Sequence, residues 1–213
     1  MMAVGIIILA LVLFYLFGYY EGGTPRLGNF FKVFGKNKVT DFIKEFSAKI
    51  PREYYESYSV VGENIAGGNV VIKCSYDDVK VDINFIYTDS RIEGEGITGV
   101  CVSLLSSFKT KRTFKISKSN KLINRSVLAA EFEREFQIKA DCDETKSRIM
   151  SNPNLCDQAQ KMLGLFTAID LSDDMLSAAS ENIEFRRSEP EALLSYLNSF
   201  VAFAKALKTD SYF

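Results

Sequence analysis

The chain has 213 residues, 47% hydrophobic and 25% charged, with 26 Lys and Arg against 27 Asp and Glu and a formal net charge of −1. That length bounds one sizeable domain or two small ones with real cores, and the neutral balance disfavours nucleic acid, whose binders carry a basic excess. There is no histidine, which removes Ser-His-Asp and Cys-His nucleophile pairs, His-ligated zinc and haem, and imidazole acid–base chemistry, so no enzyme, cofactor or metal is expected.

Ala3 to Tyr20 is an uncharged apolar run of eighteen residues. As a helix it would span roughly 27 Å at about 1.5 Å per residue, close to the roughly 30 Å hydrocarbon layer. Only Met1 and Met2 precede it, and Phe17-Gly18-Tyr19-Tyr20-Glu21 offers no A-x-A-like cleavage site. A secretory signal would carry a basic start and such a site, so residues 1–20 are predicted to be a transmembrane anchor. Tyr15, Tyr19 and Tyr20 would mark its headgroup interface. Arg26, Lys32, Lys36, Lys38 and Lys44 all follow the run. The positive-inside bias therefore predicts a single-pass protein of the cell (inner) membrane, N-terminus outside and C-terminal domain cytoplasmic. Cys74, Cys101, Cys142 and Cys156 lack C-x-x-C spacing and read as buried or idle thiols in a reducing compartment; in an exported chain they could form two bridges in any of three connectivities. Asn124-Arg125-Ser126 matches a glycosylation acceptor, which matters only in a secretory lumen.

Residues 21–36 form a juxtamembrane linker, opened by the joint Glu21-Gly22-Gly23-Thr24-Pro25. Residues 37–209 read as a soluble α+β domain, with a candidate subdivision near 118–131. Val39, Phe42, Ile43, Phe46 and Ile50 recur at helical spacing up to Pro51, predicting an amphipathic helix over 37–50 that packs on the domain. From Tyr54 to Ser117 the period becomes two. Val79, Val81, Ile83, Phe85 and Tyr87 alternate with Lys80, Asp82 and Asn84, and turn residues at Ala66-Gly67-Gly68-Asn69 and Asp77-Asp78 predict a meander. With candidates at 97–105 and 109–117, this half reads as an antiparallel sheet of four or five strands.

Phe132 to Ala140 alternates as a strand, although a helix from Arg125 could also run through it. Asp141, with Glu144 at the capping-box position, predicts a short helix to Met150. Asn152-Pro153 predicts another to about Leu163. Residues 165–180 read as a hairpin turning at Ser172-Asp173-Asp174, and Ser188-Glu189-Pro190-Glu191 as a capping box. The helix it opens carries Leu193, Leu194, Leu197, Phe200, Val201, Ala204 and Leu207 on one broad face. The expected fold is thus an N-terminal single transmembrane helix followed by an antiparallel sheet packed with several helices.

Gly94, Gly96 and Gly99 stand in G-x-G-x-x-G spacing, but β-like residues follow where a dinucleotide site needs a helix, and Glu93 and Glu95 would repel phosphate. A turn or bulge is the better reading. Residues 141–152 depart from a calcium loop at Lys146 and Asn152. Asp170, Asp173 and Asp174 are explained by turn propensity without a cation. The stretch Ser107 to Ala130 holds Lys109, Lys111, Arg112, Lys115, Lys118, Lys121 and Arg125 and no acidic residue. Such a basic face suits anionic headgroups or an acidic protein; a solvated, lysine-protected strand edge explains it as well.

Glu131 to Leu155 resembles the uncharacterised bacterial membrane-protein family DUF3137 in Phe132, Glu133, Phe136, Ile138, Asp141 and Pro153, with Ser151-Asn152 where that family carries Thr. The resemblance implies a membrane-associated α+β domain and supplies no catalytic residues. The expected function is a membrane-anchored accessory or scaffold subunit acting by protein–protein interaction, its partners the lipid bilayer and other subunits of a membrane complex. The alternatives are an anionic-lipid-binding surface, or a tethered enzyme using carboxylates such as Asp141, Asp143 and Asp170, which would have to converge with raised pKa values.

Overall fold

The computed structural model describes residues 41–64, 67–88, 99–119, 132, 135–180, 183–184 and 190–213. Helix α1 occupies 41–49 and ends before Pro51, which cannot continue it. Four strands follow, β1 (Tyr55–Asn64), β2 (Gly67–Tyr76), β3 (Val79–Thr88) and β4 (Gly99–Ser107), each antiparallel to the next. The β2–β3 turn is Asp77-Asp78, with Asp77 at φ +58°. Gly68 lies opposite Tyr87, where a Cβ would sit 2.6 Å from the ring Cζ, so only glycine allows that approach.

Then come β5 (Phe114–Lys118), β6 (Phe136–Ala140), α2 (Asp143–Ser151), α3 (Pro153–Met162), β7 (Ala168–Ser172), β8 (Met175–Ala179), the two-residue β9 (Ile183–Glu184) and α4 (Pro190–Thr209). The sheet runs β1-β2-β3-β4-β8-β7-β5-β6, with β9 also on β4. The α+β class holds, but the predicted continuous meander is corrected. The β7–β8 hairpin inserts between β4 and β5, β8 pairing with β4 and β7 with β5, and Phe108 N–H, donating to Asp174 O at 2.8 Å, carries the β4–β8 ladder up to the hairpin turn. Asp173 and Asp174, both at positive φ (51° and 57°), make that turn as their residue types predict.

Alternation places Val70, Ile72, Cys74, Val79, Val81, Ile83, Phe85, Val102, Leu104, Phe114, Ile116, Ile169, Leu171, Leu176 and Ala178 in the core. Ile43, Phe46 and Ile50 of the α1 region and Leu193, Leu197, Phe200, Phe203, Ala204 and Leu207 of α4 join the same cluster. Phe46 meets Phe85 edge-on at 5.7 Å between centroids, and Phe114 meets Phe203 at 6.2 Å. α3 packs along α4, where Phe166 meets Tyr196 at 6.1 Å. The helices thus lie on one face of the sheet. The opposite face is mixed: Lys73 lies 3.9 Å from Asp82, and Ser103, Ser177 and Ser117 share its rows with Val71, Ile86 and Leu105.

The expected transmembrane helix is corrected: among the described residues no helix is long and apolar enough to cross a membrane. The longest, α4, buries one stripe against the sheet and carries Glu191, Lys205 and Lys208, so its apolarity serves the core. Residues 1–20 and the linker 21–36 lie outside the described residues, with Tyr15, Tyr19 and Tyr20 among them. The Asn152 cap is as predicted, its Oδ1 accepting from Asn154 N–H at 3.1 Å and Leu155 N–H at 3.3 Å. The cap of α2 is not: Cys142 holds that position, one residue after Asp141. The capping box at 188–191 begins outside the described residues, and its Glu191 forms an ion pair with Lys49, tying α4 to the end of α1.

Candidate functional site

The basic segment is divided by the fold. Lys109 and Lys111 are exposed in the link between β4 and β5. On β5, Phe114 and Ile116 face the core, so Lys115 projects from the opposite face; Lys118 is exposed at the strand end. Arg112 turns aside, its guanidinium 4.3 Å above the Tyr212 ring and 3.9 Å from Asp141 Oδ2. Lys121 and Arg125 lie outside the described residues. Strand pairing adds a cation the sequence reading missed: Lys139 of β6 stands opposite Lys115, and Asp170 of β7 stands on its other side. Two like charges directly opposite are unfavourable, and the register places the carboxylate-bearing Asp170 on the other flank of Lys115. These residues line an open hollow of about 310 Å³ with Thr113, Asp141 and Ser172.

Beside the hollow lies a compact polar cluster. Asp141 Oδ1 accepts from Cys142 N–H at 2.9 Å and from the Thr145 hydroxyl at 2.5 Å. Thr145, fully buried, is 3.1 Å from the Tyr212 hydroxyl, and Cys142 Sγ lies 3.2 Å from Thr145 Oγ1 and 3.4 Å from Tyr212 OH. Arg148 reaches the Tyr212 ring at 5.3 Å, so two guanidiniums attend one ring. The Thr145 hydroxyl, with the Cys142 and Thr113 main chain, holds the Asp141 carboxyl below its ordinary 3.8. Thr145 and Tyr212 hold the Cys142 thiol below its ordinary 9.0. Thr145 has one hydroxyl proton. When Asp141 takes it, the Tyr212 hydroxyl and the Thr145 amide remain to act on sulfur. By contrast, burial pushes the Cys74 thiol up to about 12 and raises Cys156.

The carboxylate arrangement required by the enzyme alternative is only partly assembled. Asp141 and Asp170 line the same hollow, but Asp141 is lowered rather than raised and holds no proton to donate near neutrality. Asp143 is exposed in the first turn of α2, where a carboxylate favours the helix dipole. Among the described residues no group of three or more Cys, Asp or Glu is placed to hold a metal ion. Of the G-x-G-x-x-G glycines, Gly99 opens strand β4 rather than a helix, and Gly94 and Gly96 lie outside the described residues.

A third feature is the free edge of the sheet. Among the described strands β1 pairs only with β2, and its regular segment Ser57–Val61 lies between two register shifts. Val60 is 47% exposed and Val61 52%, on opposite faces, and Ile86 on β3 is 47% exposed. Asn69 pairs with both Val61 and Ile86 in register, and its side-chain oxygen is buried without a hydrogen-bond partner. The opposite edge is different: β6 has five residues, carries Lys139 and runs directly into α2, which packs on it. Exposed valines inside an alternating strand leave no sequence signature, because the same pattern serves a covered strand.

No protein-family model matches the chain, and no curated protein matches it. Among solved structures, the chain is similar to the crystal structure of the mycobacterial trehalose monomycolate transport factor A, TtfA, at a TM-score of 0.47 and 11% identity, over 79% of this chain and 93% of that one.

Proposed function

We propose that the chain is an accessory subunit that works by protein–protein contact, with the β1 edge and its Val61–Asn69–Ile86 corner as the docking surface. The observation that carries this reading is the pair of half-exposed valines, Val60 and Val61, on a sheet edge with one side unpaired among the described strands. Such an edge offers unpaired N–H and C=O groups in a row, and proteins ordinarily blunt it with lysine, proline or a covering element. Ser57–Val61 contains none of these residues. A membrane complex is the setting this reading takes for its partners.

The test is co-purification from mildly solubilised membranes, comparing the natural chain with Val60→Lys and with Lys115→Gln. Loss of the recovered partners in Val60→Lys alone supports the edge. Equal recovery from all three removes it.

A second reading, binding of anionic headgroups, is favoured by the Lys115–Lys139 juxtaposition with Lys109 and Lys111 exposed nearby. Each cation near such a surface contributes about 1 kcal/mol. Flotation with vesicles containing phosphatidylserine should then weaken in the double variant Lys115→Gln, Lys139→Gln; unchanged flotation rejects it.

A further inference from the structure

Resting on the reading of β1 as a docking edge, we propose that its partner is a second copy of this chain, the two β1 strands pairing antiparallel about a two-fold axis at Ser59.

Four features of the strand and the sheet lead to that occupant. The regular part of β1 is short and bounded on both sides by register shifts. A pairing strand can therefore engage only Ser57–Val61, and antiparallel self-pairing within that segment centres on Ser59. In this register Val60 of each copy lies opposite Tyr58 of the other, on the helix-bearing face, because Val60 and Tyr58 stand opposite Val70 and Ile72, both buried. An aromatic residue facing a β-branched one is among the favourable cross-strand pairs. On the other face Val61 lies opposite Ser57, and Ser59 opposite itself.

Charge agrees. None of the five residues is ionisable except the Tyr58 phenol, so two identical edges meet without repulsion. The far edge also matters: β6 is short, carries Lys139 and leads straight into α2. An assembly through β1 therefore cannot propagate through β6, and like-to-like pairing closes at two copies. With five residues a side the contact is small against the roughly 1,200–2,000 Å² of a standard stable interface, so a concentration-dependent dimer is expected rather than an obligate one.

The experiment uses the full chain in mild detergent. Sedimentation equilibrium over a hundredfold concentration range should show a rise from one to two chain masses, and Val60→Lys should shift the midpoint upward by at least tenfold. A Cys142→Ser, Ser59→Cys variant should form an inter-chain disulfide on mild oxidation, since directly opposed residues sit about 4.5–5.5 Å apart between Cα atoms, within disulfide reach. The matching Ser57→Cys variant should not, because it faces Val61. A single chain mass throughout overturns the proposal, as does a dimer that Val60→Lys leaves unchanged or that Ser59→Cys fails to cross-link. Monomers together with Val60-dependent recovery of a different protein would refute self-pairing while the docking edge itself stood. If Val60→Lys unfolds a monomeric chain, a segment of the same chain covers the edge, and both fall.

Discussion

Ser180, just past the end of β8, bonds Val102 through main chain and side chain: Val102 N–H donates to Ser180 Oγ at 3.2 Å, and Ser180 N–H and hydroxyl donate to Val102 O at 2.9 and 3.3 Å. On one side of this contact Ser103 faces Ala179; on the other Val100 faces Ile183, so three steps along β4 are matched by four along the partner. The extra residue would strand the amide of Val102, which is 2% exposed. The hydroxyl takes that amide's hydrogen. Ser180→Ala should therefore cost about 1–3 kcal/mol, the penalty for a buried unsatisfied donor, read as a lower urea midpoint with an unchanged slope.

Phe46 anchors α1 by its ring against Phe85 and is fully buried. Phe46→Ala should cost about 3–5 kcal/mol. Hydrogen exchange should show α1 loosening before the sheet does; equal loosening of both would contradict the assignment of Phe46 to this contact.

Asp77 combines a left-handed backbone with a charge contact, Lys205 Nζ donating to its Oδ2 at 2.5 Å. Both partners are exposed, so the ion pair is worth at most about 1 kcal/mol. The left-handed conformation costs about 1–2 kcal/mol for an ordinary side chain. Asp77→Gly should thus be close to neutral, whereas Asp77→Ala should lower the thermal midpoint measurably. Lys205→Ala should reproduce only the smaller, salt-sensitive part.

The Asp141 carboxyl is depressed in the folded chain below its ordinary 3.8, first by the Thr145 hydroxyl. A depressed carboxyl contributes stability that is fully present above the unfolded value and fades as pH falls through the folded one. The contribution should therefore persist at neutrality and decline below pH 3.8. Thr145→Val should flatten that acid limb, measured as the difference in denaturant midpoint between pH 7 and pH 3.

Cys142 is the exposed thiol and the one whose hydroxyl neighbours lower it; Cys74 is buried and Cys156 raised. The thiolate is the nucleophile. At pH 8, iodoacetamide should label Cys142 first and Cys74 last, as followed by peptide mass spectrometry. Tyr212→Phe should slow the labelling of Cys142 and leave Cys156 alone. Equal rates at the four cysteines would refute the role given to the Tyr212 hydroxyl.

The local elements were readable because their causes are local. Period-two alternation located β3, the paired aspartates located both two-residue turns, and Asn152-Pro153 located the start of α3. What escaped reading depends on pairing across the chain. Lys139 joins Lys115 only because β5 and β6 are neighbours, and Arg112 leaves the basic segment only because Tyr212 offers a ring. Cys142 looked idle because the hydroxyl of Tyr212 comes from the far end of the chain. The error at α2 was of another kind: Asp141 and Glu144 matched a capping box, but the Asp141 carboxylate is taken by Thr145 and the Cys142 amide.

The insertion of β7 and β8 between β4 and β5 has a consequence for synthesis on the ribosome. β4 emerges long before the strand that will flank it, and its neighbour arrives only after β5, β6 and two helices have been made. Until then the nascent chain displays β4 as a bare, apolar margin, the condition under which growing chains are most apt to associate wrongly. Truncation before Met175 should therefore give an insoluble or chaperone-bound product, whereas chains extended through Ala179 should begin to resist protease across residues 100–107.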